Sequence, residues 1–253
     1  MRAHASARAE FVGGRTRLVE LRSEAPLVVR STADALYLVG GAGGPLGGDE
    51  LTLAVAVGDG ACLAVRSAAA TLAQPGPRSE PSRMTMHFTV GCGAALDWQP
   101  EPLVSVRGSD HLLDTNVSLS RSARLRLVDE VVLGRVGEAP GRIRVRCRVT
   151  RDGAPLLAHD LDLGAGSPGW DSAAVMGDAR AFVSVLVVGP DAPATARVVA
   201  DAADGSRAAW LPLAPDAALL IAVAPTLMAA RRAAHSVGSP GSCVIRSVST
   251  RVK

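Results

Sequence analysis

Apolar and polar side chains alternate with a period of two along much of the first two-thirds of the chain. Between residues 51 and 57 every second residue is a leucine or a valine, and the residues between them are smaller or more polar. A period of two places successive side chains on opposite faces of a β-strand. The tight turn Gly58-Asp59-Gly60 follows, and alternation resumes at Leu63 and Val65. The pattern therefore predicts a strand, a turn and a partner strand.

This unit of strand, short turn, small residue and strand recurs along the sequence. Residues 57–63 align with residues 90–96 and more loosely with 119–125, so the unit starts at 57, 90 and 119, with offsets of 33 and 29 residues. Stacked coils of a β-solenoid give such a spacing, because each coil buries its apolar face on the next. A β-sandwich with regular hairpins gives a similar signal. The repeat favours a mainly β, solenoid-like fold of stacked sheets, with a sandwich as the alternative.

Further strands follow the repeat within what is predicted to be one domain over residues 1–253. Alternation predicts these strands at 123–128, 130–133, 143–149 and 156–163. The run Arg151-Asp152-Gly153 is predicted to be a hairpin turn between the last two.

Two short helices are predicted in the last third of the chain. The first covers residues 171–186, with Asp171 or Ser172 as its cap. The second begins near Pro225-Thr226 and ends at Gly238. Residues 236–253 are rich in Gly, Pro and Ser and are predicted to form a flexible tail.

Composition and charge exclude several classes of function. The net charge is only +3 and no run of five like charges occurs, which argues against a nucleic-acid partner. The four cysteines include no C-x-x-C pair, as is typical of reduced thiols in the cytoplasm. The longest apolar stretch, residues 217–224, is far shorter than the roughly 18 residues of a membrane-spanning helix. We therefore expect a cytoplasmic protein with no membrane partner.

A glycine-rich run over residues 40–49 raises the question of phosphate binding. A Walker A loop carries Lys-Ser or Lys-Thr after its last glycine, whereas here Asp49-Glu50 follows Gly47-Gly48 and would repel phosphate. The run is instead predicted to be a tight connection that delivers Asp49 to the start of a strand. Because no motif of a catalytic mechanism is present, the chain is predicted not to be an enzyme.

Two acids stand beside apolar strand residues, Glu101 and Glu130. An inward carboxylate must pair with a cation or meet water, so an ion pair with Arg135 or Arg142 is the simpler interpretation. Neither acid has the spacing of a closed metal site. Weak and exchangeable contact with a divalent metal ion that accepts carboxylate oxygen is the alternative.

Four segments stand in order between residues 43 and 135, namely Gly43-Gly44-Pro45-Leu46-Gly47-Gly48-Asp49, Ser67-Ala68-Ala69-Ala70-Thr71, Leu96-Asp97-Trp98-Gln99-Pro100-Glu101 and Glu130-Val131-Val132-Leu133-Gly134-Arg135. They resemble, in turn, the GG-x-x-GGD, x-Q-A-A-T, L-E-W-x-P-x-E and E-x-x-x-L-G-R segments of the UreD family of urease accessory proteins, called UreH in some organisms. Each segment alone is weak evidence, but four in order are specific. The alternative interpretation is an unrelated β-solenoid module that binds another protein.

The resemblance implies a non-catalytic, β-solenoid-like scaffold with two helices. It also implies a UreF-type partner that recruits a UreG-type GTPase, and a complex that docks on apo-urease to support nickel insertion. No tightly bound cofactor is expected, only transient nickel. The family is thought to pass nickel through an internal passage, and this gives inward polar residues such as Asp49, Glu101 and Glu130 a role as transient contacts.

Overall fold

Two β-sheets that share one core make up most of the computed structural model, which describes residues 1–78, 80–201 and 204–238. The strands, numbered in chain order, are β1 (Arg2–Val12), β2 (Arg15–Arg22), β3 (Leu27–Ser31), β4 (Leu36–Gly40), β5 (Glu50–Val57), β6 (Cys62–Ser67), β7 (Thr71–Ala73), β8 (Ser82–Val90), β9 (Ala95–Gln99), β10 (Leu103–Ser105), β11 (Asp110–Leu119), β12 (Arg124–Leu133), β13 (Arg142–Arg151), β14 (Ala154–Gly164), β15 (Ala181–Val188), β16 (Arg197–Asp201), β17 (Ser206–Ala214) and β18 (Ala217–Ala224). The single helix of the described residues is α1 (Leu227–Ser236).

The spatial order of the strands shows a stacked-coil architecture. The first sheet has seven strands in the order β14-β13-β11-β8-β5-β1-β2. The second has eleven, with β16-β17-β18-β15-β12-β9-β6-β4-β3 as its main path. The short strand β10 pairs with β12, and the short strand β7 pairs with β10. Strands β5, β8, β11 and β13 are parallel neighbours, as are β6, β9 and β12. The chain thus alternates between the sheets, one coil after another, and the solenoid-like prediction is confirmed.

The glycine turns are the corners of these coils. Residues 58–60 lead from β5 in the first sheet to β6 in the second, so the expectation that the two strands pair with each other is wrong. The corners stack instead: the Gly60 N–H donates to the Cys92 carbonyl at 2.8 Å, and the Ala95 N–H donates to the Ala61 carbonyl at 2.9 Å. Each corner satisfies the backbone groups of the next, which is why the motif recurs once per coil.

One layer of the core between the sheets contains sulfur and polar atoms as well as apolar side chains. Met86, Thr115 and Cys147 occupy matching positions on β8, β11 and β13, and all three are buried. Trp98 of β9 packs on Phe88 of β8, with ring centroids 5.1 Å apart. A sulfur-containing and polar layer therefore lies inside an otherwise aliphatic core.

The strands predicted after residue 122 are confirmed, except that two of the predicted segments form one strand. The segments predicted at 123–128 and 130–133 form the single strand β12. Strands β13 and β14 form the predicted hairpin, and Asp152 and Gly153 at its turn have positive φ values of 49° and 78°. Two such residues in succession are typical of the turns that join antiparallel strands.

The predicted helix over residues 171–186 is wrong. Residues 170–178 form turns, and strand β15 follows, paired antiparallel with both β12 and β18. Every side chain of β15 is buried, and its valines suit a strand covered on two faces.

The second predicted helix is confirmed as α1. The Thr226 hydroxyl accepts a hydrogen bond from the Ala229 N–H at the start of α1, and Gly238 follows its end. Among the residues that the structure describes, no helical segment has the length and apolarity that crossing a membrane would take. Residues 236–238 of the predicted tail close the helix, and residues 239–253 lie outside the described residues.

Candidate functional site

Asp49 closes the glycine-rich run with two hydrogen bonds. Its buried carboxylate accepts one bond from the Met1 amino group through Oδ1 at 2.8 Å and one from the Leu46 N–H through Oδ2 at 2.9 Å. The Asp49 backbone is also bonded, since its N–H donates to the Leu46 carbonyl at 2.9 Å. These contacts hold the run against the start of β5, as the sequence predicts, and they occupy both carboxylate oxygens.

Gly47 lies where the run approaches another loop closely. A Cβ at this position would stand 2.6 Å from the Gly76 nitrogen and 2.8 Å from the Glu80 carbonyl oxygen. Both are backbone atoms, which cannot rotate away as the end of a flexible side chain could. The glycine at position 47 is therefore required by packing, while Gly43 in the same run has no heavy atom within 4 Å of its own Cβ position.

We expect Gly47→Ala to lower the free energy of unfolding by about 1 to 3 kcal/mol, because the new methyl group forces two loops apart. Gly43→Ala is the matched control and should change stability by less than about 1 kcal/mol, since the site is open and its φ is not left-handed. Urea denaturation of both variants measures the difference. Equal stability of the two variants would contradict this account of the run.

A pair of adjoining cavities lies beside the run. The outer cavity has a volume of about 280 Å³ and is bordered by the glycine-rich run and by residues 67–72. The inner cavity has a volume of about 30 Å³ and is bordered by residues of both sheets, among them Met86 and Trp98. Leu38, Ser67, Thr71 and Met84 border both cavities. The two cavities are therefore neighbours, with these four side chains between them.

Two of the three acids predicted as contact residues border the inner cavity. Glu130 and Glu101 are both in its wall, whereas Asp49 borders neither cavity. Glu101 is exposed, and its N–H donates to the Ser67 hydroxyl at 2.8 Å. The structure thus brings Glu101 and Glu130 to one place and puts Asp49 at the base of the run.

Glu130 is buried and forms a bidentate ion pair with Arg231 of α1. The Arg231 Nε donates to Oε1 at 2.9 Å, and its Nη2 donates to Oε2 at 2.5 Å. The hydrogen bonds to Glu130 raise the pKa of the Arg231 guanidinium, and the charge of nearby Glu101 acts in the same direction. The expected pairing with Arg135 or Arg142 is wrong, since these arginines pair with Glu138 and Asp162.

Asp129 is the acid that sequence reasoning did not select. It is 7% exposed, borders the inner cavity, and takes part in no ion pair within the described part of the chain. Burial raises the pKa of its carboxyl group to about 6, and a hydrogen bond from Trp98 opposes that rise only in part. A signal was present in the sequence: Asp129 occupies the inward position between Leu127 and Val131, where the alternation calls for an apolar residue.

A second buried polar pair lies at the start of β11. The Ser82 hydroxyl and His111 Nδ1 are 2.8 Å apart, and His111 Nε2 has no hydrogen-bond partner among the described residues. Burial and, to a smaller extent, the positive charge of Arg144 together lower the pKa of His111 to about 4. The imidazole is therefore neutral at physiological pH.

Within the described ranges, no group of three or more His, Cys, Asp or Glu side chains is placed to hold a metal ion. The cavity wall instead combines separate weak donors, the carboxylates of Asp129, Glu101 and Glu130 and the thioethers of Met84 and Met86. Carboxylate oxygens suit hard divalent ions and thioethers suit softer ones, so these donors do not form a single matched ligand set.

The protein-family model described as "UreD urease accessory protein" matches residues 1–250. The chain belongs to the UreD family. Its relatives include Urease accessory protein UreD of Frankia casuarinae, 42% identical over 96% of this chain and 90% of the relative. Urease accessory protein UreD 3 of Streptomyces griseus is 44% identical over 88% of this chain and 90% of the relative. The resemblance found in the first half of the sequence is confirmed, and UreD similarity extends over almost its whole length.

Proposed function

We propose that this UreD family member is a non-catalytic scaffold that supports nickel insertion into apo-urease in the cytoplasm. In the proposal, a UreF-type accessory protein binds the chain, a UreG-type GTPase joins through that partner, and the assembly docks on apo-urease. The observation that carries the proposal is the UreD match over residues 1–250, with relatives named as urease accessory proteins over most of their length.

The neighbouring cavities support an internal route for the nickel ion in this proposal. A volume of 280 Å³ has room for several waters at roughly 30 Å³ each, so the outer cavity can admit an ion with much of its hydration shell. Glu101 and Glu130 then supply carboxylate oxygens at the wall of the inner cavity. Asp49 serves the same route indirectly, because it holds the run that borders the outer cavity.

Co-expression tests the scaffold role. Urease structural proteins are produced with UreF- and UreG-type partners, with and without this chain, and urease activity and nickel content are measured after purification. We expect both to fall to background without the chain, and we expect the chain to co-purify with the UreF-type protein. Full activation without the chain, or no co-purification over a range of salt concentrations, would overturn the proposal.

A substitution at Glu101 tests the proposed nickel route without disturbing the fold. Glu101→Gln removes an exposed charge that the strands do not need, so stability should be unchanged while the nickel content of co-expressed urease falls several-fold at limiting nickel. Glu50→Gln is the matched control, because Glu50 is exposed at the start of β5 and borders neither cavity. Equal nickel content with both variants would remove Glu101 from the route.

A further inference from the structure

Three buried polar atoms lie close together in sequence where the chain passes from β10 to β11. They are the Ser105 Oγ, the Ser109 Oγ and the His111 Nε2, and none of them has a hydrogen-bond partner among the described residues. All three side chains are buried, and none of them borders either cavity. We propose that one interior water molecule binds these three residues, here called the corner site, and links the His111 Nε2 to both serine hydroxyls.

The concentration of unpaired atoms at this corner is the first argument. Seven buried side-chain nitrogen and oxygen atoms of the described residues have no hydrogen-bond partner, and three of them fall within residues 105–111. The other four are guanidinium nitrogens of arginines. A buried hydroxyl or imidazole without a hydrogen bond is costly, and folded proteins satisfy such groups with protein atoms or with ordered water.

The backbone brings the three side chains to one place. The Ser109 N–H donates to the Val106 carbonyl at 3.0 Å and closes a tight turn. The Arg142 N–H donates to the Ser109 carbonyl at 2.8 Å, which extends the pairing of β11 with β13 to this residue. Ser109 and His111 are two residues apart and therefore point to the same side of the sheet. Ser105 ends β10 in the second sheet and closes the corner site from there.

Gly141 forms one wall of the corner site. Its N–H donates to the Ser105 carbonyl at 3.2 Å, and a Cβ at this position would clash with the Ser109 Oγ. Both serines are therefore neighbours of the same glycine, although they belong to different sheets. The lack of a side chain at residue 141 keeps the Ser109 hydroxyl free of steric overlap.

The hydrogen bonds of His111 determine how the water is held. The Ser82 Oγ is 2.8 Å from the His111 Nδ1 and 3.4 Å from the Asp110 carbonyl oxygen. The shorter contact is the stronger hydrogen bond, so the Ser82 hydroxyl donates to Nδ1 and the imidazole proton lies on Nε2. The Nε2–H group then donates to the water oxygen. A water molecule has up to three further hydrogen bonds available, which is enough for both serine hydroxyls.

The charges at the corner site favour a neutral ligand over an ion. The two hydroxyls are uncharged, and burial keeps the His111 imidazole neutral. A buried ion would have no opposite charge among these three groups, which makes its burial costly. The positive charge of Arg144 acts on His111 and would repel a metal cation. Water, which both donates and accepts hydrogen bonds, matches the groups present.

The corner site also supports the neighbouring coil. The Val106 N–H donates to the Ala73 carbonyl at 3.1 Å, and the segment that follows Ala73 includes Gly76, which packs closely on Gly47. A water molecule that fixes the corner over residues 106–109 therefore helps to fix the loop that packs on the glycine-rich run. This inference is independent of the proposed function, because it concerns only how the fold satisfies its buried polar groups.

A crystal structure of the full-length chain at a resolution that shows ordered water is the direct test. We expect density for one water molecule within about 3.2 Å of the His111 Nε2 and of both serine hydroxyls. Direct hydrogen bonds among the three side chains with no water between them would overturn the proposal. Density for a bound ion at this position would overturn it as well.

NMR of the imidazole nitrogens tests the corner site in solution. The chain has five histidines, and His111→Gln assigns the His111 signals. We expect the proton on Nε2 and a nuclear Overhauser cross-peak between it and a long-lived water. Ser105→Ala and Ser109→Ala should each weaken this cross-peak several-fold, whereas Ser118→Ala, exposed on β11, should not.

The parent chain alone can reject the corner site by NMR. A proton on Nδ1, or no water cross-peak at Nε2, would contradict the proposal without any variant. A cross-peak that Ser105→Ala and Ser109→Ala leave at full intensity would show that the water does not bind the two hydroxyls. Urea denaturation of each variant confirms that the chains compared are folded.

Discussion

Asp129→Asn should stabilise the protein at pH 7.5 by about 2 kcal/mol. Burial raises the pKa of the Asp129 carboxyl from 3.8 to about 6, and each unit of difference between folded and unfolded chains corresponds to about 1.4 kcal/mol. The carboxylate therefore costs about 3 kcal/mol at neutral pH. Asparagine carries no charge and can still accept the hydrogen bond from Trp98. Its buried amide hydrogens remove part of the gain, which leaves about 2 kcal/mol.

The effect of Asp129 has a definite pH window. Since the pKa is higher in the folded chain, the contribution of this group to stability is fully present below pH 3.8 and is lost as the pH rises through about 6. The difference between Asp129→Asn and the parent should therefore grow between about pH 4 and pH 6 and stay constant above. Urea denaturation at several pH values measures it. A difference that does not vary with pH would show that the carboxyl group is not perturbed.

His111 provides a control of opposite sign. Its pKa is lowered from 6.5 to about 4 in the folded chain, so its contribution to stability is present above pH 6.5 and is lost as the pH falls through about 4. Asp129 and His111 therefore oppose each other between pH 4 and pH 6. The Asp129→Asn chain lacks the Asp129 contribution but keeps that of His111. Its free energy of unfolding should therefore rise more steeply with pH between pH 4 and pH 6 than that of the parent.

Alternation is enough to predict most strands of the first two-thirds of the chain, because one face of each strand is buried and the other is not. The same pattern does not show which strand is the neighbour. A glycine turn with positive φ is compatible with a hairpin and with a coil corner. The neighbours of β5 are β1 and β8, and β8 begins 25 residues after the end of β5 at residue 57. Only the repeat of the turn at residues 90–96 and 119–125 indicated stacked coils.

Strand β15 shows where alternation gives no information. Phe182 and Leu186 pack in the core between the sheets, while Val183, Val185 and Val187 pack under α1. A strand that is covered on both faces has no polar side, so its sequence is a continuous apolar run. Periodicity cannot separate such a run from a buried helix, and the apparent cap at Asp171 then favoured the wrong element.

The candidate site was predictable only in part. Glu101 and Glu130 are visible as acids among apolar residues, and Asp129 is visible as a break in the alternation of β12. The cation that holds Glu130 was not predictable, because Arg231 is 101 residues away in sequence and approaches through the packing of α1 on the second sheet. Local sequence suggested Arg135, which has a nearer partner in Glu138.

Arg231→Leu should lower the free energy of unfolding by about 2 kcal/mol. The substitution leaves the Glu130 carboxylate, which is 7% exposed as a side chain, without a counter-charge. Removal of one partner of a buried ion pair typically costs about 3 to 5 kcal/mol. The Arg231 side chain is 37% exposed, so solvent screens part of the pair and the expected loss is smaller. Urea denaturation at pH 7.5 measures the change.

Arg232→Leu is the matched control on the same helix. The Arg232 side chain is 70% exposed and its nearest carboxylate oxygen, on Asp204, is 3.9 Å away, so its loss should change stability by less than about 0.5 kcal/mol. The double variant Glu130→Leu with Arg231→Leu removes both charges and should recover most of the stability lost in Arg231→Leu. If the double variant is no more stable than Arg231→Leu, the loss comes from side-chain packing of α1. Recovery would instead show that Glu130 needs Arg231 because its carboxylate is buried and has no other counter-charge.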